Sequence, residues 1–304
     1  MDQNQAKNIS INAKDQSTTN KNSETKYQKE PSRKSGTKEW ARFTVNCITG
    51  CGNSCIYCYA KSISINKNFS TPNSWINERV RTNDPEKYIP QNDVVMFPST
   101  HDIRPEHLER NMEFLQHILD KGNVVTIVSK PHLVCIKAIC EKFAAYKDKL
   151  ILRFTIGTAN VKALKYFEPN APSFEERLDC LKWAFQEGFS TSISCEPMLH
   201  DDIDVVLKQV LPYVNESLWI GTANEFLVGK RGKKGRLQIN GHYDKTTIAL
   251  AKRLIAWQSD EKILQLYEKY KDNPKIWWKL EIRDILKRHS IKDERIYKPF
   301  GIAI

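Results

Sequence analysis

Three cysteines and a tyrosine carry the chemistry that is legible in this chain. They are Cys51, Cys55, Cys58 and Tyr57, in the run Gly50-Cys-Gly-Asn-Ser-Cys-Ile-Tyr-Cys-Tyr-Ala60. The spacing is C-x3-C-x2-C, with an aromatic residue just before the third cysteine. Thiolates are the usual protein ligands of iron–sulfur clusters, and a 4Fe–4S cube ordinarily takes four of them. A tight loop that offers three leaves one iron open to a small molecule. Other thiol chemistries fit less well. A zinc site would usually show a second C-x2-C pair or paired histidines, whereas here the seven histidines are scattered. A disulfide framework belongs to short secreted chains, and this chain runs to 304 residues without a signal-peptide pattern. A ferredoxin needs a fourth ligand. Cys47 is available, but it alternates with Phe43 and Val45 on an expected strand, which points it toward a buried apolar face.

The elements that must position this loop read as strands alternating with helices. Strands are expected over 41–49, 93–100, 123–130, 150–158, 190–198 and 217–223 as short runs, several of them apolar on both faces. Helices are expected at 105–121 with Gly122 as a stop, at 133–146, and from the capping box Ser173-Phe-Glu-Glu176 to Glu187 with Gly188 after it. Another opens at Asp201–Asp204. Six consecutive β–α units imply an α/β fold, a partial (β/α)6 barrel, with a doubly wound sheet as the rival. In both, ligands gather at the carboxyl ends of the strands, where the cysteine loop falls.

Residues 1–38 are polar and poor in large apolar side chains, the composition of a disordered tail. The barrel is assigned to 39–227 and a basic, mainly helical extension to 228–304. That extension holds the glycine- and lysine-rich loop Val228–Arg236, helices over 245–260 and 261–270, and a last helix over 273–289 carrying Trp277 and Trp278. The net charge of +11 is uneven. Residues 41–227 carry 20 basic and 22 acidic side chains, and residues 228–304 carry 19 and 9. Such a surplus attracts polyanions, with a solubilising surface as the alternative. No apolar run is long enough to span a membrane. Eight cysteines without a secretory signal suit a reducing cytoplasm.

Further motifs sit at strand ends: Met96-Phe-Pro-Ser-Thr-His-Asp-Ile103, Leu152-Arg-Phe-Thr-Ile-Gly-Thr158 and Phe167-Glu-Pro-Asn-Ala-Pro-Ser-Phe-Glu-Glu-Arg177. With Cys55-Ile-Tyr-Cys-Tyr59 they resemble the spore photoproduct lyase family of radical S-adenosylmethionine (SAM) proteins, over about residues 45–198. The resemblance implies a 4Fe–4S cluster on Cys51, Cys55 and Cys58, and SAM on its open iron. It also implies reductive cleavage to a 5′-deoxyadenosyl radical, and a reductant such as a flavodoxin or ferredoxin. By the same resemblance Tyr57 lies near the SAM adenine, Tyr59 relays a hydrogen atom, Lys130 pairs with the SAM carboxylate, Thr155 touches SAM, and Thr100 and Asp102 lie near its methionyl group. One departure stands out. The lyases carry a hydrogen-donating cysteine where this chain has Ser99, and an O–H bond is too strong to serve as that donor. The radical initiation is therefore expected, and the lyase reaction is not. His101 shares the strand-two loop, with contact to substrate as one reading and a surface or capping residue as the commoner one. Glu196, beside Pro197, faces either the SAM ribose, a substrate amino group, or a salt bridge to a neighbouring strand. The residues do not specify the substrate; the resemblance and the basic extension over 228–304 favour a nucleic acid among the candidates. The rival readings are radical chemistry on a peptide or small molecule, and a non-catalytic iron–sulfur or nucleic-acid-binding protein.

Overall fold

The structure, a computed structural model, describes residues 36–223 and 243–297. Among them, seven strands form one parallel sheet: β1 (Phe43–Thr44), β4 (Val94–Phe97), β5 (Val124–Ser129), β6 (Leu150–Thr155), β7 (Ser190–Cys195), β8 (Leu218–Ile220) and β9 (Ile276–Trp278), hydrogen-bonded in that order. The short strands β2 (Ile48–Thr49) and β3 (Arg79–Val80) pair antiparallel beside it. Strand order follows chain order from edge to edge. A doubly wound sheet would reverse at a switch point, so the half-barrel reading holds and its rival does not. Edges β1 and β9 do not pair, and the barrel is open among the described residues.

The helices are α1 (Tyr59–Asn66), α2 (Leu108–Asp120), α3 (Leu133–Lys142), α4 (Val161–Phe167), α5 (Phe174–Gln186), α6 (Ile203–Val210), α7 (Lys245–Trp257), α8 (Asp260–Tyr270), α9 (Leu280–Arg288) and α10 (Glu294–Tyr297). The α5 cap forms as its motif predicts, with the Ser173 hydroxyl accepting from the Glu176 N–H. Alternation along the strands separates two faces. Val95, Phe97, Val125, Ile127, Leu152, Phe154 and Ile193 pack outward in the main core, beneath the helices. The inner face is more polar. In register across β6, β7, β8 and β9 lie Thr155, Ser194, Trp219 and Trp277, with Arg153 and Ser192 one pleat below. Arg153 is buried there, paired with Glu216 at 3.1 Å and lying over the ring of Trp40 at 4.8 Å. The inside of the half-barrel is therefore filled by side chains at this level.

Three expectations are corrected. The strand over 41–49 is broken, because Asn46 leaves the ladder to bind the end of β4. Its Oδ1 accepts from the Ser99 and Thr100 N–H groups at 2.8 and 2.9 Å. The helix over 273–289 begins only at Leu280. Before it, β9 adds to the sheet, with Trp278 packed against Tyr267 on the outer face and Trp277 stacked on Trp219 on the inner. Gly36–Glu39, mostly assigned by composition to the tail, form a 3-10 turn with Glu39 buried. That Glu39 meets Lys279 at 3.0 Å and Arg283 at 2.8 Å, so the chain before β1 is tied to the chain after β9. The expected loop at 228–236 lies outside the described residues.

Candidate cofactor site

The cysteine loop follows β2 and opens α1. Cys58 is the cap of that helix, its sulfur accepting the Lys61 N–H at 3.4 Å. The Cys51 N–H donates to the Trp75 carbonyl at 3.0 Å, and Cys51, Ala60 and Trp75 pack together. The Gly52 N–H donates to Glu78 Oε1 at 2.7 Å, and Glu78 is held by Arg104 at 3.0 Å. A side chain at position 52 would place its Cβ 1.6 Å from Arg104 Nη1, so it would displace the guanidinium that braces Glu78. From the other side the segment after α4 cradles the loop. The Phe167 carbonyl accepts from the Ile56 N–H at 2.9 Å, and Asn170 Nδ2 donates to the Gly52 carbonyl at 2.9 Å.

Two buried ion pairs flank the thiols. The first joins the ends of β4 and β5. Asp102 Oδ1 accepts from the Lys130 N–H at 2.7 Å and the Ser129 hydroxyl at 3.1 Å. Its Oδ2 accepts from Asn53 Nδ2 at 2.8 Å, lies 3.7 Å from the Cys51 sulfur, and is 3.7 Å from Lys130 Nζ. Burial pushes the Asp102 carboxyl up, but Lys130 and these hydrogen bonds outweigh it and hold it below the usual carboxylate range. Lys130 is shifted the opposite way: burial favours its neutral form, and Asp102 foremost among its neighbours keeps it charged. Its ammonium also stands over the Tyr57 ring at 5.8 Å. The second pair, Glu168 with Arg177, is wholly buried. Glu168 accepts a hydrogen bond from the Tyr57 hydroxyl, and Arg177 donates to the Thr155 carbonyl at 3.1 Å and the Pro172 carbonyl at 2.9 Å. Tyr57 is thus locked to β6 and to the start of α5.

The sequence-derived residues distribute as follows. Cys51, Cys55, Cys58, Tyr57, Asp102 and Lys130 share one buried neighbourhood. Tyr59 starts α1 and its hydroxyl donates to the Ser99 carbonyl. The Ser99 hydroxyl accepts from Asn46 Nδ2 at 2.9 Å, and the Thr100 hydroxyl accepts from Arg81 at 3.4 Å. Thr155 lies in the strand next to Lys130, on the inner face. Glu196 projects from the end of β7, over Gly221, to meet Lys279 Nζ at 3.1 Å, so of its three readings the salt bridge is the contact present. Burial pushes its carboxyl up to about 7 against the pull of Lys279. His101 is buried rather than on the surface, edge-on to Phe97 of the outer core, and burial lowers its imidazole to about 4. Cys47 is buried and points to Asn111 Oδ1 at 3.6 Å, away from the other three. Sequence reasoning missed Glu168, Arg177, Asn53, Glu78 and Arg104.

The site suits a cluster. All three thiols are free. Burial raises each of them, Cys55 to about 12, so they hold protons that iron would displace. Asn53 is fully buried, yet its Oδ1 has no hydrogen-bond partner among the described residues. No three His, Cys, Asp or Glu side chains there converge as ligands of a single ion would. Cluster thiolates bind separate irons, so they need not converge.

A parallel half-barrel with a three-thiol loop and buried ion pairs at its carboxyl end defines a cofactor-dependent α/β enzyme. The Radical SAM superfamily model matches residues 45–206, and the chain belongs to that superfamily. A 4Fe–4S cluster and SAM are what the superfamily implies. Among relatives, an uncharacterized protein of Methanocaldococcus jannaschii is 28% identical over 185 residues, which is 58% of this chain and 68% of that one. An uncharacterized protein of Acidianus two-tailed virus is 23% identical over 195 residues, 56% of this chain and 62% of that one. Among solved structures, a spore photoproduct lyase variant with dinucleoside spore photoproduct aligns over 77% of this chain and 75% of its own, at 18% identity and a TM-score of 0.44. Another variant, with bound AdoMet and dinucleoside spore photoproduct, gives 18% and 0.42 over the same shares. No helix of the described residues is long and apolar enough to cross a membrane.

Proposed function

We propose that Cys51, Cys55 and Cys58 hold a 4Fe–4S cluster, that SAM binds beside it, and that the enzyme acts on a nucleic acid. When bound and reduced by a flavodoxin- or ferredoxin-like donor, these cofactors supply a 5′-deoxyadenosyl radical that takes a hydrogen atom from the substrate. The observation that carries the reading is the Asp102–Lys130 pair next to the thiols. One anionic and one cationic group at strand ends match the ammonium and carboxylate of an amino-acid moiety, and each is kept charged by the other until that moiety arrives. Tyr57, fixed through Glu168 and Arg177, gives an immobile ring for a planar base, and Thr155 offers a hydroxyl on the adjacent strand.

The residues facing the site carry O–H groups: Tyr59, Ser99 and Thr100. Cys47, Cys135, Cys140, Cys180 and Cys195 are buried in the outer core, so beyond the three loop cysteines no described thiol stands ready to give a hydrogen atom. This supports a reaction other than lyase-type reversal with a thiol donor. The nucleic-acid reading rests on the resemblance and on the charge of residues 228–304. Trp278 gives it no support, since it is packed against Tyr267. The test is to supply single-stranded DNA, RNA and peptide pools to the loaded enzyme under anaerobic reduction. The reading requires an oligonucleotide to raise SAM cleavage above its substrate-free rate. Stimulation by peptide alone would overturn it.

A further inference from the structure

Asp102 is held in a fixed pose. Its Oδ1 takes two donors from the end of β5, the Lys130 N–H at 2.7 Å and the Ser129 hydroxyl at 3.1 Å, which turns Oδ2 toward the cysteine loop. There Oδ2 stands 3.7 Å from the Cys51 sulfur. The charges around it are unequal in reach. Lys130, 3.7 Å from Oδ2, is shared with the face of the Tyr57 ring, 5.8 Å from its ammonium. Arg104, the other cation near Cys51, is paired with Glu78 at 3.0 Å and Glu106 at 2.8 Å. Cluster potential responds to net charge, hydrogen bonds to the sulfurs and solvent exposure, and a charge in a buried setting acts several-fold more strongly than in water. A carboxylate against a ligand sulfur disfavours an added electron, and a more reducing cluster is the better donor to SAM.

We propose that Asp102, by holding a buried carboxylate against the Cys51 sulfur, is the residue that lowers the reduction potential of the cluster. This rests on the cluster reading above. An asparagine at position 102 can accept the same backbone and Ser129 bonds through Oδ1, and its Nδ2 then replaces Oδ2. Asp102→Asn therefore removes the charge, turns an N–H toward the sulfur and loses the bond from Asn53, and the first two changes both raise the potential. Asn53→Ser does the opposite: it removes the amide donor, 2.8 Å from Oδ2, that draws the carboxylate's charge away from sulfur, and leaves only a shorter hydroxyl. The experiment is an anaerobic redox titration of the reconstituted proteins without SAM, following the spectroscopic signal of the reduced cluster. In Asp102→Asn, the reduced-to-oxidised ratio at fixed ambient potential should rise at least tenfold, a positive shift of about 59 mV for a one-electron couple. In Asn53→Ser the shift should be smaller and negative. A role in folding alone predicts no such pair of opposite signs. An Asp102→Asn cluster with an unchanged or lower potential overturns the proposal. Should that variant hold no iron, Asn53→Ser decides: a negative shift supports the proposal, and an unchanged or positive one overturns it. A wild-type chain that takes up no iron overturns the cluster reading and this proposal with it, whereas a loaded cluster indifferent to Asp102 overturns this proposal alone.

Discussion

Replacing Glu168 with alanine should do two separable things. Glu168 is the only ion-pair partner the described structure gives to Arg177, and both side chains are fully buried. Removing the carboxylate strands a guanidinium in the core, which costs about 3–5 kcal/mol for a broken buried pair. Loss of the acceptor for the Tyr57 hydroxyl falls on the same carboxylate, so the two losses overlap rather than add. At roughly 2–4 °C per kcal/mol for a domain of this size, the midpoint of thermal unfolding should drop by about 6–20 °C. The paired variant Glu168→Leu/Arg177→Met removes both charges and should recover most of that loss, because apolar replacement of a whole buried pair is often neutral. It still leaves Tyr57 without its anchor. Its SAM affinity, measured by calorimetry on the iron-loaded protein, should therefore stay below wild type although its stability does not. A single variant melting within about 2 °C of wild type, or a double variant melting no higher than the single, would refute the wiring described here.

Three further outcomes follow from the geometry. Gly52→Ala forces Arg104 out, because its Cβ would lie 1.6 Å from Nη1; iron uptake should fall, as it should in Arg104→Ala, and wild-type uptake in both would show that the Arg104–Glu78 brace does not hold the loop. Lys130→Ala should weaken SAM binding by about 1.5–3 kcal/mol, the worth of a hydrogen bond to a charged group, while iron content is unchanged; equal affinity would return Lys130 to a purely structural role. Glu196, with its carboxyl pushed from 4.5 to about 7 by burial, keeps a proton in the folded chain that the unfolded chain has already released. The folded state thus binds more protons in that window, so its contribution to stability is lost as pH rises from about 4.5 through 7; unfolding midpoints measured from pH 4 to 8 should fall less steeply in Glu196→Gln than in wild type, and parallel curves would contradict the shift.

Much of this site was readable because its residues lie at strand ends in short runs. The C-x3-C-x2-C loop, Lys130 closing β5 and Asp102 after β4 each sit where an apolar strand stops. The β–α alternation gave the parallel order, and that order decided for the half-barrel. What failed was what tertiary contact decides. Nothing in the run 41–49 announces that Asn46 will abandon the strand to cap the end of β4. The three residues of β9 are too few to show a period, and Trp277 and Trp278 suit a helix face as well as a strand. The Asn273-Pro274 turn signal just before them was the available hint. Glu168 and Arg177 lie nine residues apart on different elements, a spacing no helix or strand rule connects. A carboxylate beside Phe167 and Pro169 in a short apolar stretch was the only local sign. Burial of Glu39 and its bond to Lys279 joins residues 240 apart, and such pairs are invisible to any local reading.

The central claim is that three cysteines, and not four, hold a cluster that splits SAM. The most direct measurement is the yield of 5′-deoxyadenosine from the anaerobically reconstituted protein given SAM and dithionite, in wild type and in single alanine variants at Cys47, Cys51, Cys55 and Cys58. The account predicts product from wild type and Cys47→Ala, and none from the other three, which should also lose the brown chromophore. An iron-loaded wild-type protein that releases no 5′-deoxyadenosine, or a Cys47→Ala variant as colourless and inert as the rest, would contradict it.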